Sequence, residues 1–406
     1  MTTPLYLGIA LDGAGWHPAA WREEDARPHD LFDVTYYADL VRTAKQAGAD
    51  LVTFEDAVGL QSSGFGPVDE RRDEVRGRLD ALVLANAIAP VVGGIGLVPT
   101  ITTTHIEPFH TATGIQTLDY TSEGWAGWRV QVSGRAHEAA HFGRRDLARF
   151  DPATLQAGGP AADAQLRELF DEARDSVEVA RRLWDSWEDG AIIRDVPTGR
   201  FIDREKLHYI DFEGAQFTVR GPSIVPRSPQ GQPLVYVLAH QTVPYELAVA
   251  EADIVGVTPR NDDELSSILN QLHTAGERVE RRTDDALRVW AEAVVLIEDT
   301  AAEASSALDR LDVSHGSAYT SDALLIVGSP ADVADQLAHW HERGLDGVRL
   351  RPARLPYDLD RFASDVAPLL AAGGLLERPP GAQSLRERLG STRPANRYAR
   401  TESDAR

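Results

Sequence analysis

The stretch from Ile95 to Gly134 constrains the fold more than any other part of the chain. It contains a short apolar strand that ends in hydroxyl side chains at 100–104, a polar turn, a helix, and a second strand at 126–132. In a parallel sheet covered by helices, polar side chains collect at the carboxyl ends of the strands, where the loops form the ligand site. The pattern therefore predicts a (β/α) barrel and places a functional site at its mouth.

The same alternation of strands and helices continues in both directions along the chain. Apolar segments predict two strands before this stretch and four after it, at 5–11, 51–54, 234–238, 253–257, 289–296 and 347–350. Helical spacing of apolar residues separates several of them, for example at 32–47 and 79–89. Eight strands in this rhythm predict an α/β fold, a TIM-like (β/α)8 barrel.

One long segment interrupts the rhythm after the fourth predicted strand. Between 137 and about 233 we find no clear βα unit, only a predicted helix at 166–187, a hairpin at 208–219 and several prolines. We predict a single domain over 1–378 in which this insertion forms a lid at the barrel mouth. The segment 379–406 is rich in Pro, Arg and Ser, and we predict that it is a surface tail.

Composition excludes several classes of function. The chain has 63 acidic and 41 basic residues and a net charge of -22, which opposes binding to nucleic acid and to anionic membranes. It has no cysteine, which excludes disulfides, thiolate nucleophiles and cysteine zinc sites. We see neither a signal peptide nor an apolar run long enough to span a membrane, and we expect a cytoplasmic protein.

The predicted strand ends supply the candidate site residues. Asp56 ends the second strand and could contact a cofactor or a substrate, or it could cap a helix. Thr102 and Thr103 end the third strand, where hydroxyls suit a neutral heterocycle with several acceptors. The same hydroxyls could instead cap their own backbone turn.

His105 is the candidate catalytic residue, because an imidazole titrates near neutral pH and can act as a general base or a hydrogen-bond donor. A histidine without chemical neighbours can equally be structural. His105 and His110 are five residues apart and flank Pro108, a spacing that does not suit a metal pair on a helix. We therefore predict no metal site.

Further segments, in their order and spacing, resemble one known family. They include HPAAWR at 17–22, FED at 54–56, LDALVLANAIAP at 79–90, IGLVPTITTTHIEPFH at 95–110, GLDGVRLRPA at 344–353 and LRERLGSTRPANRYA at 385–399. Together they resemble the bacterial luciferase-like flavin-dependent monooxygenases, in the branch with nitrilotriacetate monooxygenase and dibenzothiophene-sulfone monooxygenase. The resemblance covers nearly the whole chain.

The resemblance implies a homodimeric oxidoreductase that uses reduced FMN, delivered by a separate flavin reductase, and dioxygen to oxygenate a small organic substrate. It also implies roles for individual residues. Asp56, Thr102 and Thr103 would contact the flavin, His105 would lie near the flavin face, and Thr242 would donate to the FMN phosphate.

Two alternatives stay open. The segment 239–244, Ala-His-Gln-Thr-Val-Pro, lacks the glycine that allows a backbone to approach a phosphate closely. A deazaflavin-dependent hydride-transfer oxidoreductase of the same superfamily is therefore the first alternative. The second is a barrel that has lost its cofactor and acts as a binding protein.

Overall fold

Eight parallel strands close into a barrel. The computed structural model describes residues 4–62, 69–147, 154, 159–283, 285–378 and 381–399. In chain order, the strands are β1 (Tyr6–Leu11), β2 (Leu51–Phe54), β3 (Gly96–Thr102), β4 (Gly127–Gln131), β5 (Ile192–Asp195), β6 (Arg200–Ile202), β7 (Phe212–Glu213), β8 (Thr218–Val219), β9 (Leu234–Leu238), β10 (Ile254–Val257), β11 (Arg288–Ile297), β12 (Leu324–Gly328) and β13 (Gly347–Pro352). The barrel follows the order β1, β2, β3, β4, β9, β10, β11, β13, and β13 pairs with β1 to close it. These are the eight predicted strands, so the predicted TIM-like barrel is confirmed.

Helices surround this ring. They are α1 (Val34–Gln46), α2 (Ala81–Ile88), α3 (Pro108–Thr121), α4 (Ala136–Phe142), α5 (Pro160–Asp185), α6 (Thr242–Glu251), α7 (Asp262–Arg278), α8 (Ala301–His315), α9 (Pro330–Glu342), α10 (Tyr357–Arg361), α11 (Ala367–Ala372) and α12 (Leu385–Arg388). Side chains of Asp33, Asp80, Asn261, Thr300 and Ser329 accept hydrogen bonds from the first turns of α1, α2, α7, α8 and α9. No helix in the described ranges is both long enough and apolar enough to cross a membrane.

The strand β12 was not predicted. β11 has ten residues, whereas β10 has four and pairs only with the first part of β11, from Arg288 to Ala291. The second part of β11 would leave unpaired backbone groups on that side. β12 covers them with the register Ala293 to Leu324 through Ile297 to Gly328.

The helix α5 belongs to the barrel and not to a lid. It packs between α3 and α6, in the position of the helix that connects the fourth and fifth barrel strands. Its Trp184 is fully buried and donates a hydrogen bond from Nε1 to the carbonyl of Ala112, at 3.0 Å. The predicted insertion therefore contains an ordinary barrel helix, and the extra elements among its described residues are α4 and two short hairpins, β5–β6 and β7–β8.

The described part of the C-terminal segment, 381–399, closes the bottom of the barrel, although we expected a surface tail. Leu385 and Leu389 are fully buried in one cluster with Tyr6, Leu51 and Trp290, which lie near the starts of their strands. Next to Leu385, Arg386 donates to Asp253, at 3.2 Å, and to Asp285. Burial alone would raise the pKa of Asp253, but Arg386 and Arg181 lower it to about 2. The polar composition of this segment suggested that it is exposed. Composition alone does not show that its two leucines pack into the apolar bottom of the barrel.

We predict that Leu385→Ala lowers the free energy of unfolding by about 2–5 kcal/mol, because it leaves a cavity under the barrel. Urea denaturation measures the loss. The matched control is Leu369→Ala on α11, where the side chain is 46% exposed and the expected change is about 0.5 kcal/mol. Equal losses in the two variants would show that α12 does not seal the barrel.

Candidate functional site

Hydrogen bonds connect the carboxyl ends of three neighbouring strands at the barrel mouth. Thr102 at the end of β3 donates from its hydroxyl to Oε1 of Gln131 at the end of β4, at 2.6 Å. Gln131 in turn donates from Nε2 to the backbone carbonyl of Asp56 after β2, at 3.1 Å. We call Asp56, Thr102 and Gln131 the mouth ledge. The sequence analysis missed Gln131, although it lies two residues after Arg129 and therefore on the same inner face of β4.

A cavity of about 410 Å³ lies beside this ledge, and Asp56, Thr100 and Thr102 form part of its wall. The rest of the wall comes mainly from α2 and α3 and from the loop at Ile224 and Val225. Its volume lies within the range of about 300–1,000 Å³ that is usual for small-molecule sites. The structure thus brings two of the predicted site residues, Asp56 and Thr102, to one cavity.

The carboxylate of Asp56 also holds local backbone. It accepts hydrogen bonds from the backbone N–H groups of Ala57, at 2.7 Å, and Ala81, at 2.9 Å. Ala81 is the first residue of α2, so Asp56 does bind the start of a helix. The same residue also lines the cavity, so both roles considered from the sequence are present. Burial raises the pKa of Asp56 to about 6, and the two backbone bonds only partly oppose this shift.

The hydroxyls after Thr102 stabilise the end of the barrel. Thr103 donates from its hydroxyl to the carbonyl of Gln131, at 3.1 Å, and the hydroxyl of Thr104 accepts from the N–H of Ser133, at 3.0 Å. These hydroxyls therefore bind backbone groups, which was the second interpretation of the threonine run in the sequence. Thr103 nevertheless lines a second cavity of about 290 Å³ at the mouth.

His105 lies in the wall of this second cavity. Its ring is stacked on Phe142 of α4, with 5.0 Å between the ring centres and 11° between the planes. The side chain is buried, and its Nε2 has no hydrogen-bond partner among the described residues. Burial lowers the pKa of His105, so the imidazole is neutral at pH 7. An unpaired ring nitrogen at a cavity can bind or exchange a proton with a ligand.

Thr242 is distant from these residues along the chain, but the helix that it begins follows β9, the barrel strand next to β4. It is the first residue of α6, directly after β9, and β9 pairs with β4. Gln241 precedes it without any side-chain hydrogen bond to the helix end. A helix N-terminus whose N-cap side chain makes no capping bond can bind an anion through its first N–H groups.

Below the mouth ledge, the barrel interior contains a network of buried charges that the sequence analysis missed. Its centre is Glu292 on β11, which accepts from Arg349, at 2.6 Å, from Arg351 and from the hydroxyl of Tyr236, at 3.0 Å. Arg349 also donates to Thr53, at 2.8 Å, and to Glu55, while Arg351 donates to Asp322, at 2.6 Å. We call Glu55, Glu292, Asp322, Arg349, Arg351 and Tyr236 the lumen network.

The charges of the lumen network stabilise one another. Burial alone would raise the pKa of Glu292, but Arg349, Arg351 and Arg129 hold it well below its ordinary value. The alternation of Arg349 and Arg351 in the sequence GVRLRP was a signal that two arginines point to the same face of a barrel strand. Their carboxylate partners lie on or beside other strands, and no local sequence pattern shows which arginine pairs with which carboxylate.

Comparison with known proteins identifies the family. The profile of the luciferase-like monooxygenases matches residues 14–321. The chain belongs to this family. Among similar curated proteins, N-acetyl-S-(2-succino)cysteine monooxygenase of Bacillus subtilis is 28% identical, and nitrilotriacetate monooxygenase component A of Aminobacter aminovorans is 27% identical; in both cases the match covers 98% of each chain.

A third relative, dibenzothiophene-sulfone monooxygenase of Rhodococcus erythropolis, is 26% identical over 91% of this chain and 92% of its own. The resemblance stated from the sequence motifs is therefore confirmed, and the protein is an oxidoreductase of this family. The solved structure of a riboflavin lyase, RcaE, with modified FMN and riboflavin has a TM-score of 0.80 at 24% identity and covers 97% of both chains. This likeness supports the barrel fold.

We predict that Glu292→Gln lowers the free energy of unfolding at pH 7 by about 3–5 kcal/mol, because it leaves two buried arginines without their shared carboxylate. Tyr236→Phe removes one hydrogen bond to the same carboxylate and should cost about 1.5–3 kcal/mol. Since the pKa of Glu292 is depressed in the folded protein, its contribution is complete above the ordinary value of 4.5 and is lost as the pH falls further. Denaturation at several pH values measures this, and a Glu292→Gln variant as stable as the wild type at pH 7 would contradict it.

Proposed function

We propose that the protein is a two-component monooxygenase that uses reduced FMN, supplied by a separate flavin reductase, and dioxygen to oxygenate a small organic molecule. The observation that carries the proposal is the mouth ledge, a row of polar groups on three neighbouring strand ends beside a cavity of about 410 Å³. In a family of flavin-dependent monooxygenases, this ledge is the place where a planar ring with a polar edge fits best.

The donor set fits FMN at both ends. Asp56, Thr102 and Thr103 would hold the ring system, and Thr242 with the uncapped N-terminus of α6 would hold the phosphate. Bound reduced FMN supplies the electrons that activate dioxygen. The chain's own contribution is to bind and orient the cofactor and to keep water away from the reaction.

His105 is the proposed group that holds or moves a proton near the substrate. His105 lines the second cavity, which Phe142, Gln216 and Phe217 also line, and its Nε2 has no hydrogen-bond partner among the described residues. Phe142 ends α4, and the other two belong to the turn between β7 and β8, so parts of the predicted insertion do reach the mouth. We propose that these segments shield the site from solvent.

One observation favours the deazaflavin alternative. The start of α6 has no glycine, and Pro244 in its first turn has no N–H group to offer a phosphate. A deazaflavin-dependent hydride-transfer enzyme remains the second candidate function for this reason. If the protein binds neither FMN nor a deazaflavin, the remaining alternative is a barrel that acts as a binding protein.

We further propose a transient complex with the reductase and a homodimer. Val83 on α2 and Ile224 in the wall of the first cavity are 66% and 75% exposed. A second copy of the chain would bury these apolar side chains. Sedimentation of the purified protein tests the dimer.

The proposed function is tested first by anaerobic titration with reduced FMN. The protein is then incubated with NADH, FMN, a flavin reductase and ¹⁸O₂, together with the substrates named for its relatives: N-acetyl-S-(2-succino)cysteine, nitrilotriacetate and dibenzothiophene sulfone. Incorporation of one ¹⁸O atom into a product supports the proposal. A protein that binds no FMN in either redox state would contradict it, and binding of a deazaflavin instead would establish the alternative.

We predict that Thr102→Val weakens binding of reduced FMN by up to about tenfold, because a hydroxyl hydrogen bond contributes about 0.5–1.5 kcal/mol. The matched control is Thr274→Val, which replaces an exposed threonine on α7 and should leave the affinity unchanged. Anaerobic titration of both variants decides the matter. If Thr102→Val binds reduced FMN as tightly as Thr274→Val does, the flavin does not bind at the mouth ledge.

We predict that His105→Asn lowers product formation by about 100-fold and leaves the affinity for reduced FMN unchanged, because proton transfer by a positioned side chain contributes roughly 10²–10⁴-fold. Burial lowers the pKa of His105 from 6.5, so wild-type activity that needs the neutral ring should be constant above that pH and fall only below it. His273→Asn on the surface of α7 is the control. Unchanged product formation in His105→Asn would exclude a role in the reaction.

A further inference from the structure

Arg129, on the strand that carries Gln131, lacks a hydrogen-bond partner for one of its side-chain nitrogens among the described residues. It lies on β4 two residues before Gln131, with the same inward orientation and opposite Thr100 of β3. Since a strand rises about 3.3 Å per residue, Arg129 occupies the layer roughly 7 Å below Gln131. The mouth ledge thus has a buried cation directly beneath it.

The charge of Arg129 is less neutralised than the charges of Arg349 and Arg351, the two arginines of the lumen network. Arg129 is 6% exposed, and its Nη1 reaches Oε2 of Glu55 and the hydroxyl of Thr100 only at 3.2 Å each. Its Nε is buried and has no hydrogen-bond partner in the described part of the chain. Arg349 and Arg351, in contrast, each contact two carboxylates more closely.

We propose that Arg129 is a positioning residue that makes the protein bind reduced flavin more tightly than oxidised flavin. This inference rests on the proposed function. The ring of reduced flavin loses the proton of its pyrimidine-side N1 near neutral pH and becomes an anion, whereas the ring of oxidised flavin is neutral. An opposite charge in a low-dielectric site favours the anion, and charge near N1 is a usual means by which a protein tunes a flavin.

This selectivity suits an enzyme whose cofactor arrives reduced from another protein. The site would load the reduced form and release the oxidised form after turnover. The sequence of β4, Gly-Trp-Arg-Val-Gln, combines both parts, because Gln131 belongs to the ledge and Arg129 lies beneath it.

The test compares the dissociation constants of FMN and anaerobically reduced FMN in the wild type and in Arg129→Gln, Arg129→Met and Arg129→Lys. We expect the wild type to bind reduced FMN at least about tenfold more tightly. Arg129→Gln and Arg129→Met should lose most of this preference, and Arg129→Lys, which keeps the charge, should retain it. Arg393→Gln, which removes an exposed arginine at the opposite end of the barrel, is the matched control and should behave as the wild type.

The outcomes separate the two proposals. A wild type that binds no flavin contradicts the proposed function itself. A wild type that binds both redox forms equally overturns the role of Arg129, and this result does not depend on whether any variant folds. Neutral variants that weaken both forms to the same extent also overturn it, because a structural role affects both forms alike.

Discussion

A single buried carboxylate, Glu292, holds together the interior of the barrel. Two arginines of the neighbouring strand β13 and a tyrosine of β9 all direct their polar groups to it. Charges are costly to remove from water, and they are tolerated here because each has partners of opposite sign at hydrogen-bond distance. The network joins β9, β11 and β13 with β2, and so fixes the relative position of strands that are far apart in the sequence.

The two ends of the barrel build on this layer in different ways. At the bottom, apolar side chains of the C-terminal helix α12 close the barrel, and the salt bridges of Arg386 keep this helix in place. At the mouth, β3 and β4 change from Thr100 and the charged Arg129 to the neutral polar groups of Thr102 and Gln131 on the same strand faces, beside the carboxylate of Asp56. A polar surface supported by fixed charges is a rigid base for a cofactor, and such rigidity is what a site needs in order to orient a reactive ring.

The barrel could be predicted from the sequence, whereas the contents of its interior could not. Apolar strands such as Leu51–Phe54, each followed by polar residues and a helix, are local patterns, and local patterns fixed all eight barrel strands. β12 escaped prediction because it depends on the unequal lengths of β10 and β11. The helix α5 was predicted as a helix, but its place in the barrel follows from its packing against α3 and α6, which are distant in the chain.

The candidate site shows the same division. Asp56 and Thr102 were found from their places at strand ends, and the structure brings both to one cavity. Gln131 and Glu55 were missed because the first needed the register of β3 against β4, and the second needed the partner Arg349, 294 residues away. The capping role of Asp56 was open in the sequence because the loop between it and Ala81 contains no pattern that fixes its path.

A crystal structure of the protein with bound FMN would show directly whether the mouth ledge carries the flavin. We predict electron density for the ring system against Asp56, Thr102 and Gln131, with the phosphate at the N-terminus of α6 beside Thr242. Density for the flavin elsewhere on the protein, or a mouth that stays empty at saturating FMN, would contradict it.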